Sequence, residues 1–132
     1  MIILASIVER EAKHDQDRSV VAGILKKRYQ KGWPLEADAT IQYALGYDEI
    51  EKTWWRKKLS TEDLQIDSSY NTRINPGLPP TPICNPGLAA INAVITPKET
   101  SYWYYISDQK NNMHYATTLD AHNQNIEKYL QQ

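Results

Sequence analysis

An apolar stripe near the start of the chain leads directly into an acidic residue. Read with the 3.6-residue period of an α-helix, the stripe contains Leu4, Ile7 and Val8, and its next positions are Glu11 and Ala12. A carboxylate on the buried face of a helix is costly unless it is paired or protonated. The sequence therefore predicts a helix whose inward face holds Glu11 in an unusual environment.

Two explanations of Glu11 are consistent with the residues alone. It can form a buried ion pair, with Arg18 or Arg28 as partner. It can also be a general acid whose pKa is raised by desolvation, ready to protonate a leaving group. Glu9 lies at the side of the same helix, on the face that we expect to be solvated.

Composition excludes several classes of protein. The 132 residues fit one domain, 1–132, and a net charge of -1 gives no electrostatic footprint for nucleic acid. Cys84 is the only cysteine, so no intramolecular disulfide can form. Nine Tyr and four Trp accompany no Phe, which favours half-buried walls of a groove for a polar ligand.

Periodicity and capping residues predict mainly helices with one hairpin. We expect the first helix over 2–13 and a second one that Gly32 stops, with Asp38 as the N-cap of a third over 39–45. A turn opened by a capping box at 60–63 is also expected. The remaining elements are a helix over 86–95, strands over 102–107 and 113–116, and a helix over 119–130 that Thr117 or Thr118 can cap. The fold class is therefore α+β, mostly helical with a small antiparallel sheet.

Between the helices lies a proline-rich segment, NPGLPPTPICNPG, at residues 75–87. A flexible linker would not contain Leu78, Ile83 and Cys84 among its prolines. Proline also lowers the entropy lost when a loop is fixed. We therefore expect a rigid, ordered loop that crosses the surface.

Several motifs together resemble the endolytic murein transglycosylase family (MltG or YceG-like). They are, in order, LASIVEREA at 4–12, Arg28, PLEADATIQYALG at 34–46, YNTR at 70–73, GLPPTPICNPGLAAI at 77–91, YWYYIS at 102–107, and the segment 114–123 that ends in AHN. The motifs span nearly the whole chain. Thr81 stands where the family usually has glycine, and this change is expected to affect the wall of a groove.

The resemblance implies a lysozyme-like catalytic domain that forms the C-terminal part of a longer, membrane-anchored protein. Its catalytic domain would lie on the periplasmic, or extracytoplasmic, side of the cytoplasmic membrane. It would cleave peptidoglycan glycan strands internally, between N-acetylmuramic acid and N-acetylglucosamine, and leave a 1,6-anhydro ring. The implied partners are these strands and proteins of cell-wall synthesis, with no nucleic acid, and this fragment is expected to be a monomer.

The resemblance also implies roles for particular residues. Glu11 becomes the expected catalytic acid and base, and Glu9, which the family motif also contains, is the alternative. One carboxyl group suffices for a lytic transglycosylase, whereas a hydrolase normally needs two. Expected substrate contacts are Asp38, Thr40, Tyr70, Asn71 and Thr72, and we expect Asp38, Tyr70 and Asn71 to converge with Glu11 on one cleft, walled by the loop 77–87.

Other interpretations of these residues stay open at this point. Asp38 can serve as a helix cap, and residues 70–72 can serve as caps or loop supports. The three histidines match no metal-ligand spacing, so neither a metal nor a cofactor is expected. A peptidoglycan-binding module without catalysis is the alternative function, although such a module gains nothing from a desolvated acid.

Overall fold

A computed structural model describes residues 1–130 of the chain. The described part contains five α-helices: α1 (Ile2–Glu11), α2 (Asp15–Gln30), α3 (Asp38–Leu45), α4 (Leu88–Ile95) and α5 (Leu119–Tyr129). It also contains two strands, β1 (Tyr104–Ser107) and β2 (Met113–Ala116), and a 3-10 turn at Asp63–Gln65. The fold is α+β with a small antiparallel sheet, which confirms the predicted class.

The hydrophobic core lies where α1, α2 and α4 pack together. Ile7 and Val8 on α1 are fully buried, as the apolar stripe predicts, and they share the core with Leu25 of α2. Helix α4 presents the small side chains of Ala90 and Ala93 to the core. Small residues let helix axes approach closely, so α4 packs against both other helices.

The hairpin and α5 form a second layer. Strands β1 and β2 are antiparallel, with Tyr104 opposite Ala116 and Ser107 opposite Met113. The Asp108 carboxylate accepts the backbone N–H groups of Lys110 and Asn112 and so closes the turn. Helix α5 then packs on both strands.

Caps explain several of the element ends. Thr118 accepts the N–H of Ala121, which makes Thr118 the N-cap expected for the last helix. Ser60 and Asp63 exchange backbone-to-side-chain hydrogen bonds of 2.9 and 3.0 Å, which confirms the predicted capping box.

Some predicted boundaries were wrong by a few residues. Helix α1 ends at Glu11, two residues early, because the chain becomes extended at Ala12. Helix α4 begins at Leu88 after the N-cap Gly87, not at Pro86, because Gly87 is still in an extended conformation, with φ -77° and ψ 170°. Strand β1 begins at residue 104, and the final helix ends at 129.

The proline-rich loop is ordered, as predicted, and is fixed to α1. Ile83 is buried, and its N–H donates to the Ser6 hydroxyl at 3.0 Å. The Cys84 thiol donates to the Ser6 carbonyl, which gives the lone cysteine a packing role. On the neighbouring part of the loop, the hydroxyls of Thr81 and Tyr70 lie 2.7 Å apart in a hydrogen bond.

Candidate active site

An open groove passes the C-terminal end of α1. It has two arms, with volumes of about 610 Å³ and 750 Å³, that meet at Glu11, Asp38, Lys57 and Ser107. The first arm continues between the α3 side and helix α5. Its other lining residues include Arg28, Glu36, Arg73, Tyr104, Tyr105 and His122. The second arm continues toward the hairpin turn, and its other lining residues include Arg10, Lys13, Gln42, Trp55, Asp108 and Met113.

Glu11 lies where the two arms meet, and its surroundings favour the protonated form. Desolvation and the negative charge of Asp38 raise the pKa of Glu11 to about 7. The Tyr105 hydroxyl, the Ala39 backbone N–H and the positive charge of Arg28 act in the opposite direction. A carboxyl group poised near neutrality can both donate and accept a proton.

The backbone N–H of Ala39 belongs to the first turn of α3. The N–H groups of a first helical turn have no partner within the helix, and they favour nearby negative charge. The N-terminus of α3 therefore stabilises the Glu11 carboxylate once its proton has left.

Tyr105 supplies the other neutral group beside Glu11. Its hydroxyl is buried and has no well-formed hydrogen bond within residues 1–130. Burial, followed by the Glu11 charge, raises the pKa of Tyr105 well above its ordinary value, so the hydroxyl keeps its proton. It is therefore available as a donor to Glu11 when Glu11 is ionised.

Asp38 faces the groove and is more than half exposed as a side chain. It is the first residue of α3 and not the N-cap, which is Ala37, so the predicted capping role was wrong. Its carboxylate pairs with Arg73, at 3.1 Å from Nη2. The exposed pair leaves Asp38 able to accept hydrogen bonds from a ligand in either arm.

Arg28 is buried behind the first arm, and its guanidinium holds two loops together. Nε and Nη2 donate to the Trp103 carbonyl at 2.9 and 2.6 Å, and Nη1 donates to the Leu35 carbonyl at 2.8 Å. Within residues 1–130 Glu11 has no ion-pair partner, so the ion-pair interpretation with Arg28 or Arg18 was wrong. Arg18 pairs with Glu9 and Asp15 instead.

Glu9 does not line either arm of the groove. Its carboxylate accepts the N–H of Gly87 just before α4 and lies 3.8 Å from Arg18. Negative charge at a helix N-terminus is stabilising. Glu9 therefore joins α1 to α4 and lies away from the junction of the two arms, which Glu11 lines.

Thr40, Asn71 and Thr72 lie in the interior and not in the groove, so the expected convergence of Asn71 with Glu11 was wrong. Asn71 is fully buried and donates to the carbonyls of Leu64 and Ile66 at 3.1 and 2.9 Å. The hydroxyls of Thr40 and Thr72 are 2.9 Å apart in a buried hydrogen bond. Thr40 and Thr72 fix the end of the loop that precedes α3, where the Thr72 hydroxyl accepts the Ala37 N–H, whereas Asn71 fixes the segment after the 3-10 turn.

Tyr70 and the loop 77–87 also lie outside the lining of both arms, contrary to the predicted groove wall. The Tyr70 ring packs against Tyr43, with 5.0 Å between ring centres. Its hydroxyl forms a hydrogen bond with the Thr81 hydroxyl. Thr81 therefore contacts Tyr70 outside the groove and lines neither arm.

The sequence reasoning missed Lys57, Tyr105, Glu36 and Arg73 as groove residues. Arg73 belongs to the YNTR motif and could have been paired with Asp38 from that motif. Glu36 has a positive φ of 52°, an uncommon conformation for a residue other than glycine. No local pattern points to Lys57, which lies in a stretch without clear periodicity.

The histidines occupy three separate surroundings, with His14 exposed at the N-cap position of α2. His114 lies 2.9 Å from Asp108 and stacks on Tyr129, whereas His122 stacks on Tyr104 in the first arm. In the described residues 1–130, no three His, Cys, Asp or Glu side chains group as they would around a metal ion.

Comparisons with known proteins match almost the whole chain. The YceG-like family model covers residues 1–128. A Bacillus subtilis protein named endolytic murein transglycosylase is 35% identical over 98% of this chain, and a Streptococcus pneumoniae protein of the same name is 30% identical over 98%. The chain spans 34% and 23% of the length of these two relatives.

A solved structure agrees with these matches. The crystal structure of a YceG-like protein from Listeria monocytogenes superposes with a TM-score of 0.80 and 35% identity. The match covers 92% of this chain and 37% of the Listeria chain. No helix among residues 1–130 has the length and apolar character needed to cross a membrane. From the family model and these relatives together, the chain belongs to the YceG-like family.

Proposed function

We propose that this domain is an endolytic lytic transglycosylase, in which Glu11 is the general acid and then the general base. The observation that supports it best is a single carboxyl group, with its pKa raised to about 7, at the junction of an open two-armed groove. The names of the Bacillus and Streptococcus relatives support the same activity. The proposed substrate is the glycan strand of peptidoglycan.

In the first step, neutral Glu11 donates its proton to the oxygen between N-acetylmuramic acid and N-acetylglucosamine. The bond from the muramoyl anomeric carbon to that oxygen breaks, and N-acetylglucosamine leaves with a free hydroxyl. Protonation of the leaving oxygen is the task of a general acid with a pKa near the working pH. Desolvation and Asp38 keep the proton on Glu11 until this point.

In the second step, the Glu11 carboxylate removes the proton of the muramoyl 6-hydroxyl as that oxygen bonds to the anomeric carbon. The product is the 1,6-anhydro ring, Glu11 is neutral again, and no water is consumed. The Tyr105 hydroxyl and the Ala39 N–H stabilise the carboxylate between the two steps. Within this scheme no second catalytic carboxylate is needed.

Asp38 is the proposed substrate contact, because it lines both arms and is exposed to them. Hydroxyl and acetamido N–H groups of a sugar can donate to its carboxylate. Thr40 and Thr72 are proposed to act indirectly, by fixing the backbone at Ala37 just before Asp38, and Asn71 by holding the segment 64–66. Tyr70 is proposed to support the adjoining loop through Thr81.

The proposed place of action is outside the cytoplasmic membrane, where peptidoglycan lies. Attachment through a membrane anchor elsewhere in a longer protein is part of the same proposal. We also propose that the protein associates with proteins of cell-wall synthesis and that this domain is a monomer.

The function is tested by incubating purified sacculi with the protein and analysing the soluble products by mass spectrometry. We expect fragments with 1,6-anhydro-muramoyl ends from the parent protein and from Glu9→Gln. Glu11→Gln should release at least about a hundredfold less, the scale expected for loss of a general acid. Binding to sacculi without release by the parent protein would contradict the proposal and identify a non-catalytic peptidoglycan-binding module.

A further inference from the structure

The two arms of the groove differ in the charge that they offer to a ligand. In the second arm, Arg10, Lys13 and Lys57 make no ion pair within residues 1–130. In the first arm, the exposed Glu36 has no ion-pair partner within the same residues. Lys57 lines both arms, whereas Arg10 and Lys13 line only the second arm, which therefore has two cations of its own that no carboxylate in the described part of the chain pairs.

Within the residues that the structure describes, the acidic residues of the second arm form no ion pair with these cations. Asp108 is held by His114 at 2.9 Å and by the backbone of the hairpin turn. Asp38 is paired with Arg73, whose side chain lies in the first arm. Positive charge in a concave surface attracts anions and raises their local concentration.

Arg10 occupies a fixed place in this arm. Its guanidinium carbon lies 3.9 Å from the ring centre of Trp55, which is a close cation–π contact. The Nε atom of Arg10 is buried and has no hydrogen-bond partner within residues 1–130. A stacked guanidinium loses less side-chain freedom on binding, and it matches the geometry of a carboxylate.

We propose that the second arm is a subsite for a carboxylate borne by the substituent of the glycan strand. The inference rests on the proposed function and specifies its substrate. The strand passes Glu11 with its substituent directed toward Arg10, Lys13 and Lys57. The domain thereby favours strands whose substituents are anionic.

The carboxylate has two chemical sources on such a strand. A stem peptide attached to muramic acid bears free carboxylates, and removal of the peptide exposes the lactyl carboxylate of muramic acid itself. Both are planar anions that a guanidinium and ammonium groups bind in the same way. The two sources are separated by the choice of strand.

The experiment measures kcat/KM for anhydro-product formation on four kinds of glycan strand. Peptide-bearing strands and peptide-free strands are each compared with the same strands after their carboxylates are converted to amides. We expect amidation to lower kcat/KM about two- to fivefold for one exposed ion pair lost, mainly through a higher KM. An effect on peptide-bearing strands identifies the peptide as the source, and an effect on peptide-free strands identifies the lactyl group.

Lys13→Gln is the test variant, and Lys26→Gln is its matched control. Lys26 is an exposed lysine on α2, outside both arms. The preference for free over amidated strands should shrink in Lys13→Gln and stay at the parent value in Lys26→Gln. Added salt should shrink the parent preference as well.

Two results would contradict the proposals, and they can be distinguished from each other. Equal cleavage of free and amidated strands of both kinds, or an unchanged preference in Lys13→Gln, would overturn the carboxylate subsite and leave the proposed function intact. Absence of anhydro products from every strand would instead remove the proposed function.

Discussion

Replacing Glu11 with Gln should make the protein more stable above neutral pH, although it removes the proton of the proposed general acid. The folded protein holds the Glu11 proton up to a pKa of about 7, whereas the ordinary value is 4.5. Between these values the unfolded chain binds fewer protons than the folded one, so stability falls as pH rises through this window. Above this pH window, the folded protein bears the full free-energy cost of ionising the desolvated Glu11.

The size of this cost follows from the two pKa values. A pKa difference of one corresponds to about 1.4 kcal/mol, so the shift from 4.5 to about 7 costs up to roughly 3 kcal/mol above neutrality. Glutamine keeps the size of the side chain and has no charge to desolvate. The stability of Glu11→Gln relative to the parent should therefore rise by about 2–3 kcal/mol between acidic and alkaline pH.

The assay is urea unfolding of both proteins, followed by circular dichroism, at one pH below 4.5 and one above 7. Comparing the stability difference between the two proteins at the two pH values cancels any effect of the amide that does not depend on pH. A stability difference that is the same at both pH values would refute the claim that Glu11 is desolvated.

Glu9→Gln is the matched control on the same helix. Its carboxylate accepts the Gly87 N–H ahead of α4, so loss of its charge should cost about 0.3–1 kcal/mol. This variant should retain cleavage, because Glu9 lies outside both arms. Loss of cleavage in Glu9→Gln, with normal cleavage in Glu11→Gln, would assign the acid to Glu9.

Further predictions concern the groove and the packing behind it. The proposed general acid must be protonated, so the alkaline limb of the cleavage–pH profile should lie near 7 in the parent. Because Tyr105 lowers and Asp38 raises the pKa of Glu11, this limb should move to higher pH in Tyr105→Phe and to lower pH in Asp38→Asn. Limbs that do not move would contradict these contributions to the pKa. Gly23→Ala should lower the free energy of unfolding by about 1–3 kcal/mol, because its Cβ would lie 2.0 Å from the Lys98 carbonyl oxygen, and an unchanged urea midpoint would contradict this close approach. Asn71→Ala should cost about 1–3 kcal/mol in the same measurement with normal cleavage per folded molecule, and a selective loss of cleavage would instead support a direct substrate contact.

The parts of the fold that the sequence predicted are those that local forces determine. The stripe of Ile7 and Val8 has helical spacing and is buried in the core. The Thr118 cap and the Ser60–Asp63 capping box involve residues three apart in sequence. Such features need no knowledge of distant segments.

The features that sequence reasoning missed depend on contacts between distant segments. Short polar side chains in a loop can face a ligand or the interior, and Asn71 and Thr72 face the interior through partners up to 35 residues away. The Glu9 carboxylate accepts the N–H of Gly87, which is 78 residues away in sequence. Tyr105 reaches Glu11 only because the hairpin packs against the core through Tyr105, Met113 and Tyr115.

The central claim is that Glu11 closes an anhydro ring without the use of water. Its most direct test is cleavage of glycan strands in water enriched in heavy oxygen, with mass spectrometry of the new muramoyl ends. The account predicts ends that lack one water relative to a reducing sugar and contain no heavy oxygen. New reducing ends that contain the heavy isotope would show hydrolysis and contradict the claim.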